Sequence, residues 1–171
     1  MMRRMRTLRQ EQRGAATVEF ALWSVLFFMV AVVALDFGVF TIQRGHLSEA
    51  LSGVTIAAFN KSNDVDYSAI PTYVQAVSAV PNPASMSISV GCNGGTNNCT
   101  NENRTCACLS QSGTFVPATS CGAACGTGST PDSISGYYLT VGATYPFKPM
   151  FVTRSILGNK PIVQTATVRL Q

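Results

Sequence analysis

A chain of 171 residues has room for one domain of ordinary size and a membrane element. Only 12% of it is charged, and the net +4 resides in the first thirteen residues, where Arg3, Arg4, Arg6, Arg9 and Arg13 oppose Glu11. The remainder balances seven Lys/Arg against seven Asp/Glu, which excludes a basic surface for nucleic acid.

The first element follows that basic head at once. Residues 15–40, AATVEFALWSVLFFMVAVVALDFGVF, carry only Glu19 and Asp36 as charges. Sixteen uncharged residues lie between these two, about 24 Å of helix at ~1.5 Å per residue. With its flanks the stretch covers a hydrocarbon core of ~30 Å and leaves both carboxylates near the edges. The arginines hold the N-terminus on the cytoplasmic side of the membrane and send the C-terminal body across it. A soluble core helix is the plainer alternative, but basic residues crowd one end only. A cleavable signal peptide is another, with Val32-Val33-Ala34 as its site and Leu35 as the new terminus. Against it, Phe37, Val39, Phe40 and Ile42 continue the apolar pattern, and Leu47, Leu51, Val54 and Ala58 follow at spacings of three or four. The pattern predicts one helix from about Ala15 to Phe59, roughly 65 Å long. Its first half faces lipid and its second half, residues 41–60, is an amphipathic stalk. Gly45 and Gly53 weaken it locally, and Asn60–Asp64 ends it.

Glu19 is the anomaly in this segment. A charge at a helix centre costs roughly 2.5–3.5 kcal/mol on insertion scales, and less near an end. It falls in RGAATVEFALW (residues 13–23), where Gly14 closes the basic leader and Glu19 and Phe20 are the fifth and sixth residues beyond it. This stretch resembles the type IV prepilin processing site, and most of all that of the Flp-pilus subfamily. The resemblance implies a prepilin peptidase that cuts between Gly14 and Ala15. The cationic amine so exposed at Ala15 would pair with Glu19, one helical turn on, or with the glutamate of a neighbouring subunit, which makes Glu19 and Phe20 assembly and register residues. Asp36-Phe37-Gly38 and the small-residue helix QRGHLSEALSGVTIAAF are similar to the TadE-like family of pilin-related proteins. YPFKPMF (Tyr145–Phe151) and IVQTATVRLQ (Ile162–Gln171) look like that family's C-terminal strand pair.

Beyond the stalk, Tyr67, Ile70, Tyr73, Val74 and Val77 share one helical face. Pro71 fits only a first turn, so the predicted helix is short, from about Pro71 to Ala79, before Pro81 and Pro83. Three alternating sets then read as strands: Met86, Ile88 and Val90; Tyr137, Leu139, Val141, Ala143 and Tyr145; Ile162, Gln164, Ala166, Val168 and Leu170, with Val163 on the opposite face. So small a sheet folds by burying the apolar stripe of the stalk.

Between the first two strands lies a polar insert, residues 91–136, with all six cysteines: Cys92, Cys99, Cys106, Cys108, Cys121 and Cys125. An even count on the far side of the membrane argues for disulfides, each stabilising by roughly 2–4 kcal/mol. Six cysteines allow fifteen pairings, and a bond between Cys106 and Cys108 is geometrically poor. The C-x-C and C-x3-C spacings also resemble an element of some TadE-like proteins, which implies a small loop of its own for Cys92 and Cys99. A thiolate metal site is the alternative, but no C-x2-C pair occurs.

Enzyme motifs are missing: there is no H-E-x-x-H, G-x-S-x-G, P-loop or dinucleotide fingerprint. His46 and Glu49 read as an i,i+3 surface pair. Asp64 and Asp66 sit among Asn60, Ser62 and Asn63, and read as loop chemistry rather than a calcium site. Asn60, Asn98 and Asn103 fall in glycosylation-type triplets, which arise often by chance.

The expected fold is α+β and pilin-like, with one long N-terminal transmembrane and amphipathic helix packed on a small antiparallel sheet that carries a disulfide-rich loop insert. The expected organisation is a leader (1–14), a transmembrane helix (15–40), a stalk (41–60) and a periplasmic body (61–171). The expected function is a minor pilin-like (pseudopilin) subunit of a Flp/Tad pilus system, active in pilus biogenesis and adherence, with no enzymatic activity, cofactor or nucleic-acid partner. Its partners would be the prepilin peptidase, other pilin-like and assembly proteins, and membrane lipid. The rival is a membrane-tethered periplasmic binding module, unprocessed and outside any filament.

Overall fold

A computed structural model describes residues 2–150 and 160–171, with side chains described from residue 14 onward. The chain forms two compact units, Met1–Phe40 with Lys148–Gly158 and Thr41–Phe147 with Asn159–Gln171.

Helix α1 spans Met2–Asn60. It therefore starts well before the expected Ala15, because Arg, Met, Leu, Gln and Glu in the leader are good helix formers and Gly14 alone does not stop a helix. Gly45 and Gly53 do not interrupt it either. From Val18 to Ile42 the large apolar side chains of α1 are mostly exposed.

In the second unit, α1 is packed on the sheet through Leu47, Ala50, Leu51, Val54 and Ala58, all buried and recurring at helical spacing. Helix α2 spans Ile70–Val77, with Pro71 in its first turn. Its buried face is narrower than expected. Ile70 and Val74 are buried, one turn apart, while Tyr73 and Val77 are 48% and 45% exposed. The helix stops two residues short of Ala79, where Ser78 turns extended and its N–H bonds Val74.

The main sheet has the order β1-β4-β5, with β1 at Ser87–Cys92, β4 at Tyr138–Tyr145 and β5 at Ile162–Arg169, all antiparallel. Val90 lies opposite Val141, and Val141 opposite Ala166. Tyr137, Leu139, Val141, Ala143 and Tyr145 are all buried, so the central strand follows the alternation read from the sequence. Ile162 and Leu170 are buried while Val163 is exposed, as the third set requires.

One expectation fails here. Within Tyr145–Phe151, strand structure ends at Tyr145, so β5 pairs with Tyr138–Tyr145 instead; Phe151 lies outside the described residues. Pro146 and Pro149 lack the N–H that a ladder needs. The insert also has its own two-stranded sheet, β2 (Ala107–Leu109) against β3 (Phe115–Pro117).

Candidate functional site

Gly14, Ala15, Glu19 and Phe20 lie on one uninterrupted stretch of α1, all solvent-exposed. Glu19 lies four positions after Ala15, which stacks them one turn apart on the same face. A Cβ added to Gly14 would meet nothing within 4 Å among the described residues. Glycine in a helix costs about 1 kcal/mol relative to alanine, so the fold of this chain gives no reason for it there. Beside Glu19, Phe20, Trp23, Ser24, Phe27 and Phe28 line an open apolar groove of about 370 Å³. Ser24 turns its hydroxyl inward to the Phe20 carbonyl at 2.8 Å, which removes a polar group from this surface. Residues 14–60 form a helix long and apolar enough to cross a membrane, with a peak mean hydropathy of 2.5.

The two carboxylates of the apolar segment differ. Glu19 is exposed, whereas Asp36 is 1% exposed and accepts the Met150 N–H at 2.9 Å. Sequence reasoning placed both at membrane edges and had no signal for the partner of Asp36.

The six cysteines form three disulfides: Cys92–Cys99, Cys106–Cys121 and Cys108–Cys125. Cys106 and Cys108 flank Ala107, so they leave the chain on one face, and each bonds a cysteine farther along. All six sulfurs are thereby spent, and none is left as a thiolate ligand.

Around these bridges, side-chain amides imitate backbone pairing. Asn98 accepts the Cys92 N–H and donates to the Cys92 carbonyl, both at 2.9 Å. Asn101 does the same at Val65, at 3.2 and 3.1 Å. Arg104 completes the junction, with its guanidinium 5.0 Å from the Tyr137 ring centroid and bonded to the Ser62 carbonyl, Asn101 and the Tyr67 hydroxyl. Burial pushes the Tyr67 hydroxyl above its ordinary pKa, against the opposing charge of Arg104. The sequence held no sign of the roles of Asn101 and Arg104, and Asn98 read only as part of a chance triplet.

The remaining polar candidates are structural. His46 reaches across to the Ala79 carbonyl through Nδ1 at 3.0 Å, a tertiary contact in place of the expected pairing with Glu49. Asp66 accepts from the Ser68 hydroxyl at 2.6 Å and from the Ser68 and Ala69 N–H groups at 3.1 Å. It is a turn cap, held below its ordinary pKa first by the serine hydroxyl and then by the Ala69 N–H.

An exposed apolar helix that leads into a disulfide-stapled α+β body fits a single-pass membrane protein. Residues 14–53 match the family described as TadE-like protein, the family that the sequence resembles. The match takes in the apolar segment and most of the stalk, well under half of the chain. No curated protein and no solved structure matches the chain. The family points to a pilin-like protein associated with Tad pilus components, in a structural rather than enzymatic role.

Proposed function

We infer that this chain is a minor pilin-like subunit of a Flp/Tad pilus assembly system, cut between Gly14 and Ala15 by a prepilin peptidase. The arginine-rich leader stays cytoplasmic, residues 15–40 span the inner membrane, residues 41–60 form the stalk, and residues 61–171 form a periplasmic body. After cleavage the Ala15 amine and the Glu19 carboxylate, one turn apart, form the pairing groups that set the register between neighbouring helices. The stapled body then presents its surface in pilus biogenesis and adherence.

One observation carries this reading: Gly14 is exposed, packs against none of the described residues in a way that would require glycine, and stands where the family match begins. A peptidase that selects the residue before its cut accounts for a glycine that the fold does not need.

The test is the N-terminal residue of the mature protein, found by mass spectrometry of the membrane fraction. Ala15 is the expected start. An intact Met1 favours the tethered, unprocessed binding module, and a start at Leu35 favours a secreted protein; either overturns the pilus reading.

A further inference from the structure

Asp36 stands where the apolar run of α1 ends, and the bond from Met150 to its Oδ1 joins positions 114 apart in the chain. That bond sets residues 148–150 beside α1 at the height of Asp36, within the unit of Met1–Phe40 and Lys148–Gly158. Met150 is 71% exposed there, and its helix neighbours in height, Leu35 and Phe37, are 58% and 57% exposed. Lys148 is exposed as well.

We propose that residues 148–150 are a second membrane contact, a strap that Asp36 holds at the edge of the bilayer, with Met150 among acyl chains and the Lys148 ammonium on anionic headgroup phosphates. The inference rests on α1 spanning the membrane. A carboxylate facing lipid is costly, and the strap lowers that cost by donating a backbone N–H to the buried Asp36. Asp36 in turn fixes the strap's height, which puts an exposed thioether level with exposed Leu35 and Phe37, continuous with the apolar surface of the helix. An apolar tip with a cation two residues away suits the interface, where one end contacts acyl chains and the other contacts phosphate. Asp36 is thus a positioning residue.

Trp23 is the only tryptophan, so position is readable by fluorescence. Full-length protein carrying Trp23→Phe and Met150→Trp is reconstituted into phosphatidylcholine–phosphatidylglycerol vesicles, with or without bromines on the upper acyl chain. Position 150 is expected to lose most of its emission to brominated lipid and little to aqueous acrylamide. Adding Asp36→Ala is expected to reverse that order, with the three disulfides still present by mass. Unmodified protein supplies Trp23 as the control for the span. If Trp23 is quenched by brominated lipid but position 150 answers only to acrylamide, the strap is refuted and the spanning helix stands. Shielding of position 150 from both quenchers refutes it in favour of a protein neighbour. Bromine quenching that survives Asp36→Ala refutes the role of Asp36. If neither position senses bromine, the spanning reading falls and the strap with it.

Discussion

Asp66 and Asn101 do similar work by different chemistry, and only one of them responds to pH. The Asp66 carboxylate accepts three hydrogen bonds from Ser68 and Ala69, and the serine hydroxyl is the largest cause of its lowered pKa. Its folded pKa lies below its ordinary value of 3.8, so its contribution is fully present above that value. The contribution is lost as pH falls through 3.8 toward the lower folded pKa. Amide exchange at Ser68 and Ala69 should therefore accelerate over that acid window relative to exchange elsewhere in the body, and Asp66→Asn should abolish the pH dependence. Equal protection of both amides across the window would show that the carboxylate caps nothing. Asn101 is neutral, so its pairing with Val65 continues unchanged through the same range. Neither role is visible in the sequence, because a capping Asp and an unattached loop Asp have the same neighbours until the chain has turned.

The strands and the insert differ in how clearly they announce themselves. Five apolar positions alternate strictly at the central strand, Tyr137 just before β4 and four within it, and all five are buried. Strands β2 and β3 have three residues each, too few for a period to register, and two disulfides anchor the chain around them. Cys106–Cys121 and Cys108–Cys125 close overlapping spans of 15 and 17 residues. By loop entropy alone, a bridge over about 15 residues is worth about 3 kcal/mol. Replacing Cys108 and Cys125 together by alanine should lower stability by about that amount, read as a lower urea midpoint for loss of near-ultraviolet ellipticity in detergent. Removing Cys92 and Cys99, separated by 7, should cost less. An equal cost for both pairs would mean that native packing rather than chain entropy governs the insert.

Assembly is a property of more than one copy, and the proposed register device is tested there. Glu19→Ala should leave α1 helical and inserted, since a carboxylate in an apolar segment is replaced by a better helix former. Incorporation of the mutant into the pilus system should fall sharply, measured by co-purification of the subunit with its assembly partners from native membranes. Unchanged incorporation would remove the reason given for keeping a charge at position 19. The same logic limits Gly14→Ala, which should block processing without disturbing the helix, because a Cβ there meets nothing within 4 Å among the described residues.

Residue periodicity and charge placement were enough to establish the long apolar helix, the alternating strands and the α+β class, because each follows from burying one face of a regular element. Pairwise closure was not legible. Cys92–Cys99 is the pairing that the resemblance implied; the Cys106–Cys121 and Cys108–Cys125 pairings, the Asn98 and Asn101 clamps, the Arg104 junction and the bond from Met150 to Asp36 depend on groups that the folded chain brings together across 6 to 114 positions. No local pattern encodes such distances. A hydrogen bond or disulfide is satisfied by any suitable partner in reach, and reach is set by the packing of the whole chain.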